Sequence, residues 1–316
     1  MPYSAADDKK RIVQTARIPL DQTITAIAVS QDGSRLAVGT RQSCQVQVAE
    51  TGELLHRWAT QTPVTDLQFG RSGLLVAALG APPVNVYSLE QGKLVREIRR
   101  DDAIGSLRTA PQVHACLIDR DRSVVSSGTG NRTVISNRST GKWEHIMFVK
   151  YEGCAVTASF DGEYVSVFGK QNPRELSGHV SLFKTHRGLR PVWTNWHTSR
   201  QAVTHVAFDS HAKRLVSCGA GDGARVWSLE SGSEIWHFAS QSRPYIAASF
   251  VGLNDLVALL TPNTIQVRSL SNPDVIQAEK RNDGEEWKTS STSESGQVIA
   301  VENGESIAIF RLTEDN

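Results

Sequence analysis

The sequence predicts an all-β fold, and three observations support that prediction. Short segments that alternate apolar and polar residues recur along the chain, which is the period of a half-buried strand. Clusters of turn-forming residues separate these segments. Equivalent positions return about every 38 to 49 residues. Together they predict a single seven-bladed β-propeller with four-stranded blades, whose strands we call a to d from the centre outwards.

Residues 202–235 form the clearest repeating unit. Alternating segments at 202–209, 213–219 and 224–229 are followed by a fourth strand near 234–238. Turn formers such as Gly221-Asp222-Gly223 separate the segments, as expected for hairpin-connected strands. Six more units repeat this order. The third strands of the seven units end near Val48, Tyr87, Ser136, Phe183, Trp227, Arg268 and Phe310.

The two ends of the chain predict how the ring closes. The last unit ends at Leu312 after only three strands, whereas residues 11–18 form a strand-like segment that has no unit of its own. We expect this N-terminal strand to become the outer strand of the last blade, which removes free sheet edges. The predicted organisation is an N-terminal tail at 1–8, a propeller at 9–313 and a C-terminal tail at 314–316.

This pattern resembles a divergent member of the WD40-repeat family over residues 9–313. The matching features are Trp227 at the end of strand c, the Ser30-Gln31-Asp32-Gly33 turn between strands a and b, and Thr-Gly or Ser-Gly turns after strand c. Trp227 has no counterpart in the other units, and no unit carries the Gly-His dipeptide before strand a. The resemblance therefore implies that the family's buried Asp–His–Ser/Thr–Trp network is absent or partial, so that packing holds the blades together.

Charge and hydropathy disfavour a nucleic-acid-binding, membrane-spanning or secreted protein. The chain carries 34 Lys and Arg against 33 Asp and Glu, which disfavours binding to nucleic acid or to an anionic membrane. It has no apolar run of the roughly 18 residues that a membrane span needs. The N-terminus is polar, which is not typical of a secretory signal. Four scattered cysteines favour buried thiols in a reducing compartment, so we expect a cytoplasmic location, with the nucleus as an alternative.

Motifs for catalysis or cofactor binding are missing from the sequence. It contains no G-x-S-x-G elbow and no G-x-x-x-x-G-K-[ST] phosphate loop, and its nine histidines lack metal-site spacing. Asp32, Asp161 and Asp209 occupy equivalent turns of different units, which favours turn capping over paired acid–base chemistry. We therefore expect no enzyme activity, catalytic residue, metal or cofactor.

A rigid ring that presents loops from seven blades predicts a non-enzymatic scaffold for another protein or peptide, working as a monomeric propeller within a larger complex. A few aromatic and Arg anchors would supply the affinity at the face formed by the d–a and b–c connections. Trp196 and His197 qualify if they are exposed. The candidate partner-binding residues are Arg41, Asn131, Arg132, Trp196, His197, Arg200, Asp222, Arg243 and Tyr245.

Two alternatives remain open. A propeller hydrolase or lyase would bring acidic or histidine side chains from several blades together in the central channel, with shifted pKa values. A phospholipid- or nucleic-acid-binding propeller would bind through a local basic patch, and its binding would weaken strongly with salt.

Overall fold

The computed structural model contains β-strands and turns but no helix within the residues it describes. Those residues are 10–80, 83–99, 112–128, 132–148, 155–170, 178–185, 190–197, 201–219, 221–240, 243–252, 255–271, 275–280, 286–303 and 305–314. Twenty-eight strands form seven four-stranded antiparallel sheets, which are the blades of a β-propeller. The predicted fold is confirmed. No helix in the described part of the chain is long and apolar enough to cross a membrane.

The strands follow one another from the channel outwards in each blade. The N-terminal strand is β1 (Lys10–Pro19). Blades 1 to 3 are β2 (Ile24–Val29), β3 (Arg35–Thr40), β4 (Ser43–Val48), β5 (Leu54–Ala59); β6 (Val64–Phe69), β7 (Leu74–Leu79), β8 (Val84–Ser88), β9 (Lys93–Ile98); β10 (Gln112–Ile118), β11 (Ser123–Gly128), β12 (Arg132–Asn137), β13 (Trp143–Phe148). Blades 4 and 5 are β14 (Ala155–Ala158), β15 (Tyr164–Lys170), β16 (Gly178–Lys184), β17 (Trp193–Trp196); β18 (Val203–Phe208), β19 (Arg214–Gly219), β20 (Gly223–Ser228), β21 (Glu234–Phe238). Blades 6 and 7 are β22 (Ala247–Val251), β23 (Leu256–Thr261), β24 (Thr264–Ser269), β25 (Val275–Lys280); β26 (Thr289–Thr292), β27 (Val298–Glu302), β28 (Ser306–Glu314) and β1.

The chain closes its ring by pairing its two terminal strands. Strand β1 lies antiparallel to β28, with Ile12 opposite Leu312 and Ile18 opposite Ile307. Both isoleucines are buried, Ile12 in the cluster with blade 6 and Ile18 in the cluster with blade 1, so apolar packing on both faces holds β1 in the ring. The predicted N-terminal outer strand of the last blade is therefore confirmed.

Apolar residues fill the spaces between neighbouring blades. The described residues form seven buried clusters, and each cluster joins two adjacent blades. The second strands contribute most strongly, because Leu36, Leu75 and Leu215 are fully buried. Burying one such side chain stabilises the fold by about 1.5–3 kcal/mol. Packing between blades therefore carries the ring, as the sequence predicts.

Polar side chains on the inner strands also join the blades. An inner strand has one unpaired edge, and its backbone N–H groups need acceptors. The preceding blade supplies side-chain acceptors for several of them. These bonds run from Ala115 N to Asp66 Oδ2 (3.2 Å), from Leu117 N to Gln68 Oε1 (2.9 Å) and from Val29 N to Ser291 Oγ (3.0 Å).

Tryptophans on the outer strands bridge blades at the rim. The Trp58 indole N–H donates to the Gly92 carbonyl at 3.0 Å, and that of Trp193 donates to the Leu229 carbonyl at 3.0 Å. Each bond joins one blade to the next. These two outer-strand tryptophans therefore fill gaps between neighbouring blades.

The acidic turn residues act as caps. Asp32 accepts a bond from Ser34 N at 3.0 Å, and Asp209 accepts one from Lys213 N at 2.7 Å. Asp161 makes the equivalent contact with its own turn. These contacts confirm the capping prediction for the three residues.

The cysteines that the structure describes are buried free thiols. They are Cys44, Cys116 and Cys218. Burial raises the pKa of the Cys44 and Cys218 thiols to about 12, so neither is a reactive thiolate at neutral pH. Cys154 lies outside the described residues.

Candidate functional site

One face of the ring carries all the d–a and b–c connections, because successive strands in a blade run in opposite directions. Arg41 lies exposed there, in the turn between β3 and β4. Arg243 lies in the connection from β21 to β22, with 51% of its side chain exposed. Arg132 begins β12, but its side chain is outside the described part of the structure, as are Asn131 and Arg200.

Trp196 is the exposed aromatic residue among the candidates on this face. It is the last residue of β17 and is 38% exposed. Its ring lies 6.0 Å from the ring of the buried His179, in a tilted arrangement. The indole is therefore partly supported by the protein and partly exposed to solvent.

Two of the candidate residues are buried, contrary to the exposure expected of anchors. His197 is 1% exposed and Tyr245 is 3% exposed. Tyr245 packs in the apolar cluster between blades 5 and 6. His197 turns inward to bond with side chains of blade 5. Tyr245 is drawn inward by apolar packing, and His197 is drawn inward by its hydrogen bond to Ser217.

His197 belongs to a buried chain of four side chains in blade 5. The Trp227 indole N–H donates to Ser217 Oγ at 2.8 Å, and that oxygen lies 2.8 Å from His197 Nε2. His197 Nδ1 lies 3.6 Å from Asp222 Oδ2. Ser217 accepts from the indole and donates to Nε2, whereas Nδ1 is too far from the carboxylate for a hydrogen bond and is left without one. The chain ties the β17–β18 connection to blade 5.

The imidazole of His197 is neutral in this network at neutral pH. Burial lowers the pKa of His197 to about 4, although the Asp222 carboxylate acts in the opposite direction. Asp222 also accepts bonds from Arg225 Nη2 at 2.9 Å and from Arg225 Nε at 3.0 Å. The Asp222 carboxylate therefore pairs with Arg225 inside blade 5.

The sequence led us to expect this network to be absent or partial, and blade 5 holds part of it: the hydrogen bonds from Trp227 through Ser217 to His197 are formed, whereas His197 Nδ1 makes no hydrogen bond to Asp222. Trp227 faces Leu215 across the β19–β20 register, and other blades have different residues at that position. The six counterparts of Trp227 are Gln47, Tyr87, Ser136, Phe183, Arg268 and Phe310. Sequence analysis missed Ser217 and His197 as members because Trp196, and not glycine, precedes the histidine.

Blade 6 carries a small polar cavity where blade 5 carries the network. The cavity has a volume of about 180 Å³. Arg268 is 8% exposed, its Nη2 donates to Gln266 Oε1 at 3.0 Å, and its guanidinium lies 5.9 Å from the Phe238 ring centre. Sequence analysis missed this cavity, although the register position of Arg268 was visible in the repeat. The cavity is lined by Arg243, Tyr245, Thr261, Asn263, Thr264, Gln266 and Arg268.

The inner strands of all seven blades enclose a central channel of about 500 Å³. Asp66, His114 and His205 line it from three different blades, and Asp66 Oδ2 lies 3.3 Å from His114 Nδ1. Burial lowers the pKa of His205, whose Nδ1 accepts a bond from Ala248 N at 3.5 Å. Asp66 likewise accepts a bond from the backbone of blade 3, so these side chains join neighbouring blades. The described residues contain no group of three or more His, Cys, Asp or Glu placed to hold a metal ion.

Fold and site together define a seven-bladed β-propeller with one blade held by a buried polar network and one blade open to a polar cavity. No protein-family model matches the chain, and a search of curated proteins finds no match to it.

Proposed function

We propose that this protein is a divergent WD40-type propeller that acts as a non-enzymatic scaffold and binds another protein or peptide on the face formed by the d–a and b–c connections. The observation that carries the proposal is Trp196, which is 38% exposed on that face and is backed by His179. Tryptophan is among the residues most enriched in interface hot spots. Arginine is also enriched in interface hot spots, and the exposed Arg41 and Arg243 lie on the same face.

The ring supports this role physically. Its terminal strands pair with each other, so the binding face rests on a closed frame and little ordering entropy is lost when a partner binds. The balanced charge of 34 Lys and Arg against 33 Asp and Glu favours a protein partner over nucleic acid or lipid. The buried free thiols favour a reducing compartment, so we propose the cytoplasm, with the nucleus as the alternative.

Affinity capture from a lysate of the native cells tests the proposal. The test variant is Trp196→Ala with Arg41→Ala. The matched control is Arg71→Ala with Lys213→Ala, which removes two exposed cations from a–b turns on the opposite face. Thermal unfolding first checks that both variants fold.

We expect wild type and the control to recover the same proteins, and we expect the test variant to lose at least one of them. Equal recovery by all three would contradict the proposed face. Failure of wild type to recover any specific protein would contradict the scaffold function itself.

A further inference from the structure

The cavity in blade 6 occupies the place that the polar network fills in blade 5. Arg268 faces Val257 across the β23–β24 register, as Trp227 faces Leu215 across β19–β20. The b–c turn contributes Asn263 to the cavity. Blade 6 has no indole at this position, and a cavity lies at the corresponding point between blades, on the proposed binding face.

The charged side chains that line the cavity in the described part of the chain are all positive. Arg243 and Arg268 line it, and the described lining residues include no Asp or Glu. Glu286 contacts Arg243 at 3.6 Å, with 68% of the glutamate side chain exposed. An ion pair that exposed is weak and screened by salt, so it leaves Arg243 able to exchange partners.

Arg268 differs from Arg243 in being buried. Its contacts include the neutral Gln266 amide oxygen and the ring of Phe238, and its side chain is held in place by them. A guanidinium in a partly desolvated site attracts an oxyanion more strongly than one in water does, because the local dielectric is lower. The planar guanidinium also offers two parallel N–H groups, which match phosphate or carboxylate oxygens.

The remaining lining groups are hydrogen-bonding residues at a rigid turn. Thr261 Oγ1 and Thr264 Oγ1 each donate to Asn263 Oδ1 at 3.4 Å, which fixes the turn. The volume of about 180 Å³ fits an oxyanion group with a few waters. A drug-sized ligand or a nucleotide needs a larger site of about 300 Å³ or more.

We propose that this cavity binds an oxyanion on a side chain of the partner: a phosphate monoester or a carboxylate, gripped between Arg243 and Arg268. The assignment of the anion to a partner protein rests on the proposed scaffold function. Anion binding itself is a property of this chain alone and is measured without any partner.

The test follows the arginine Nε–Hε signals of ¹⁵N-labelled protein during titration, at constant ionic strength. The probes are N-acetyl-O-phosphoserine amide and N-acetyl-glutamate amide. Disappearance of a signal in Arg268→Lys identifies the Arg268 resonance. The exposed Arg243→Gln is the test variant, because its change leaves the core intact, and Arg71→Gln on the opposite face is its matched control.

We expect at least one probe to shift the Arg268 signal saturably in wild type and in Arg71→Gln, with binding about three- to tenfold weaker in Arg243→Gln. Saturation by phosphoserine alone identifies a phosphorylated partner, and saturation by both probes identifies an acidic side chain. Absence of a saturable shift with either probe would overturn the proposal, as would equal affinities in the two variants. The capture assay with the Trp196 and Arg41 variant leaves the cavity intact, so the two proposals fail separately.

Discussion

Blades 5 and 6 share a four-stranded plan but differ in the residues around one register position. In blade 5, Trp227 donates to Ser217 and closes a buried chain that ends at Asp222. In blade 6, Arg268 stands at that position and a polar cavity of about 180 Å³ opens beside it. Both sites lie between the b–c turn and the preceding d–a connection, on the same face of the ring.

The difference suggests two uses of one architectural position. In blade 5 the hydrogen bonds of the polar chain fix a loop against the blade. In blade 6 the cavity holds the site that we propose for an oxyanion. The apolar clusters between other blades hold the ring together, so a polar network is not needed in every blade.

The largest effect is expected from Trp227→Ala in blade 5. The change leaves a cavity and removes the indole donor from Ser217, so we expect a loss of about 3–5 kcal/mol in the free energy of unfolding. Urea unfolding measures the loss. The matched control is Trp196→Ala, for which we expect about 1 kcal/mol or less because its indole is partly in solvent. Similar losses in both variants would show that the blade 5 network adds nothing to packing.

A pH titration of stability is expected to give the next largest effect. The pKa of His197 is about 4 in the folded protein against 6.5 normally, so the unfolded state binds more protons between those values. The contribution of neutral His197 is complete above pH 6.5 and is lost as the pH falls towards 4. It amounts to roughly 3 kcal/mol.

Urea unfolding at a series of pH values checks this prediction. We expect His197→Asn to make the decline shallower without removing it, because burial also lowers the pKa of His179 to about 4 and that of His205, whereas His211→Asn, at an exposed position, keeps the decline of wild type. Parallel curves for wild type and His197→Asn would refute a buried neutral histidine.

Ser217→Ala probes the middle of the chain with a smaller expected effect. The change leaves the Trp227 indole N–H and His197 Nε2 without their shared partner, at a cost of about 1–3 kcal/mol. The measurement is the same urea midpoint shift. A neutral result would mean that the hydroxyl bridge contributes no net stability.

Arg268→Met in blade 6 is expected to have the smallest effect on stability. Exchange of a buried cation for an apolar side chain of similar length changes the free energy of unfolding by about 1 kcal/mol or less. In the same variant we expect the Arg243 Nε–Hε signal to show no saturable shift with the oxyanion probes. A loss of several kcal/mol would instead make Arg268 a structural residue like Trp227.

The fold was predictable from sequence because its signals are local. Strand alternation, turn residues and the repeat period give the seven blades, and the spare segment at 11–18 gives the ring closure. The turn caps at Asp32 and Asp209 followed from their repeat positions as well. These features need no knowledge of how distant loops pack.

The site was predicted less completely because loop direction depends on tertiary packing. Nothing local distinguishes the exposed Trp196 from the buried His197 beside it, or the exposed Arg243 from the buried Tyr245. The blade 5 network was missed because its histidine lacks the preceding glycine of the family pattern. The cavity depends on what fills the space around Arg268, which no single sequence reveals.

The most direct test of the contrast between the two blades is a crystal structure grown with tungstate, an oxyanion whose metal gives anomalous density. The account predicts a tungstate peak between Arg243 and Arg268 in blade 6 and none beside Trp227 in blade 5. A blade 6 cavity without tungstate in crystals that bind it elsewhere, or one filled by a carboxylate of the chain itself, would contradict the account.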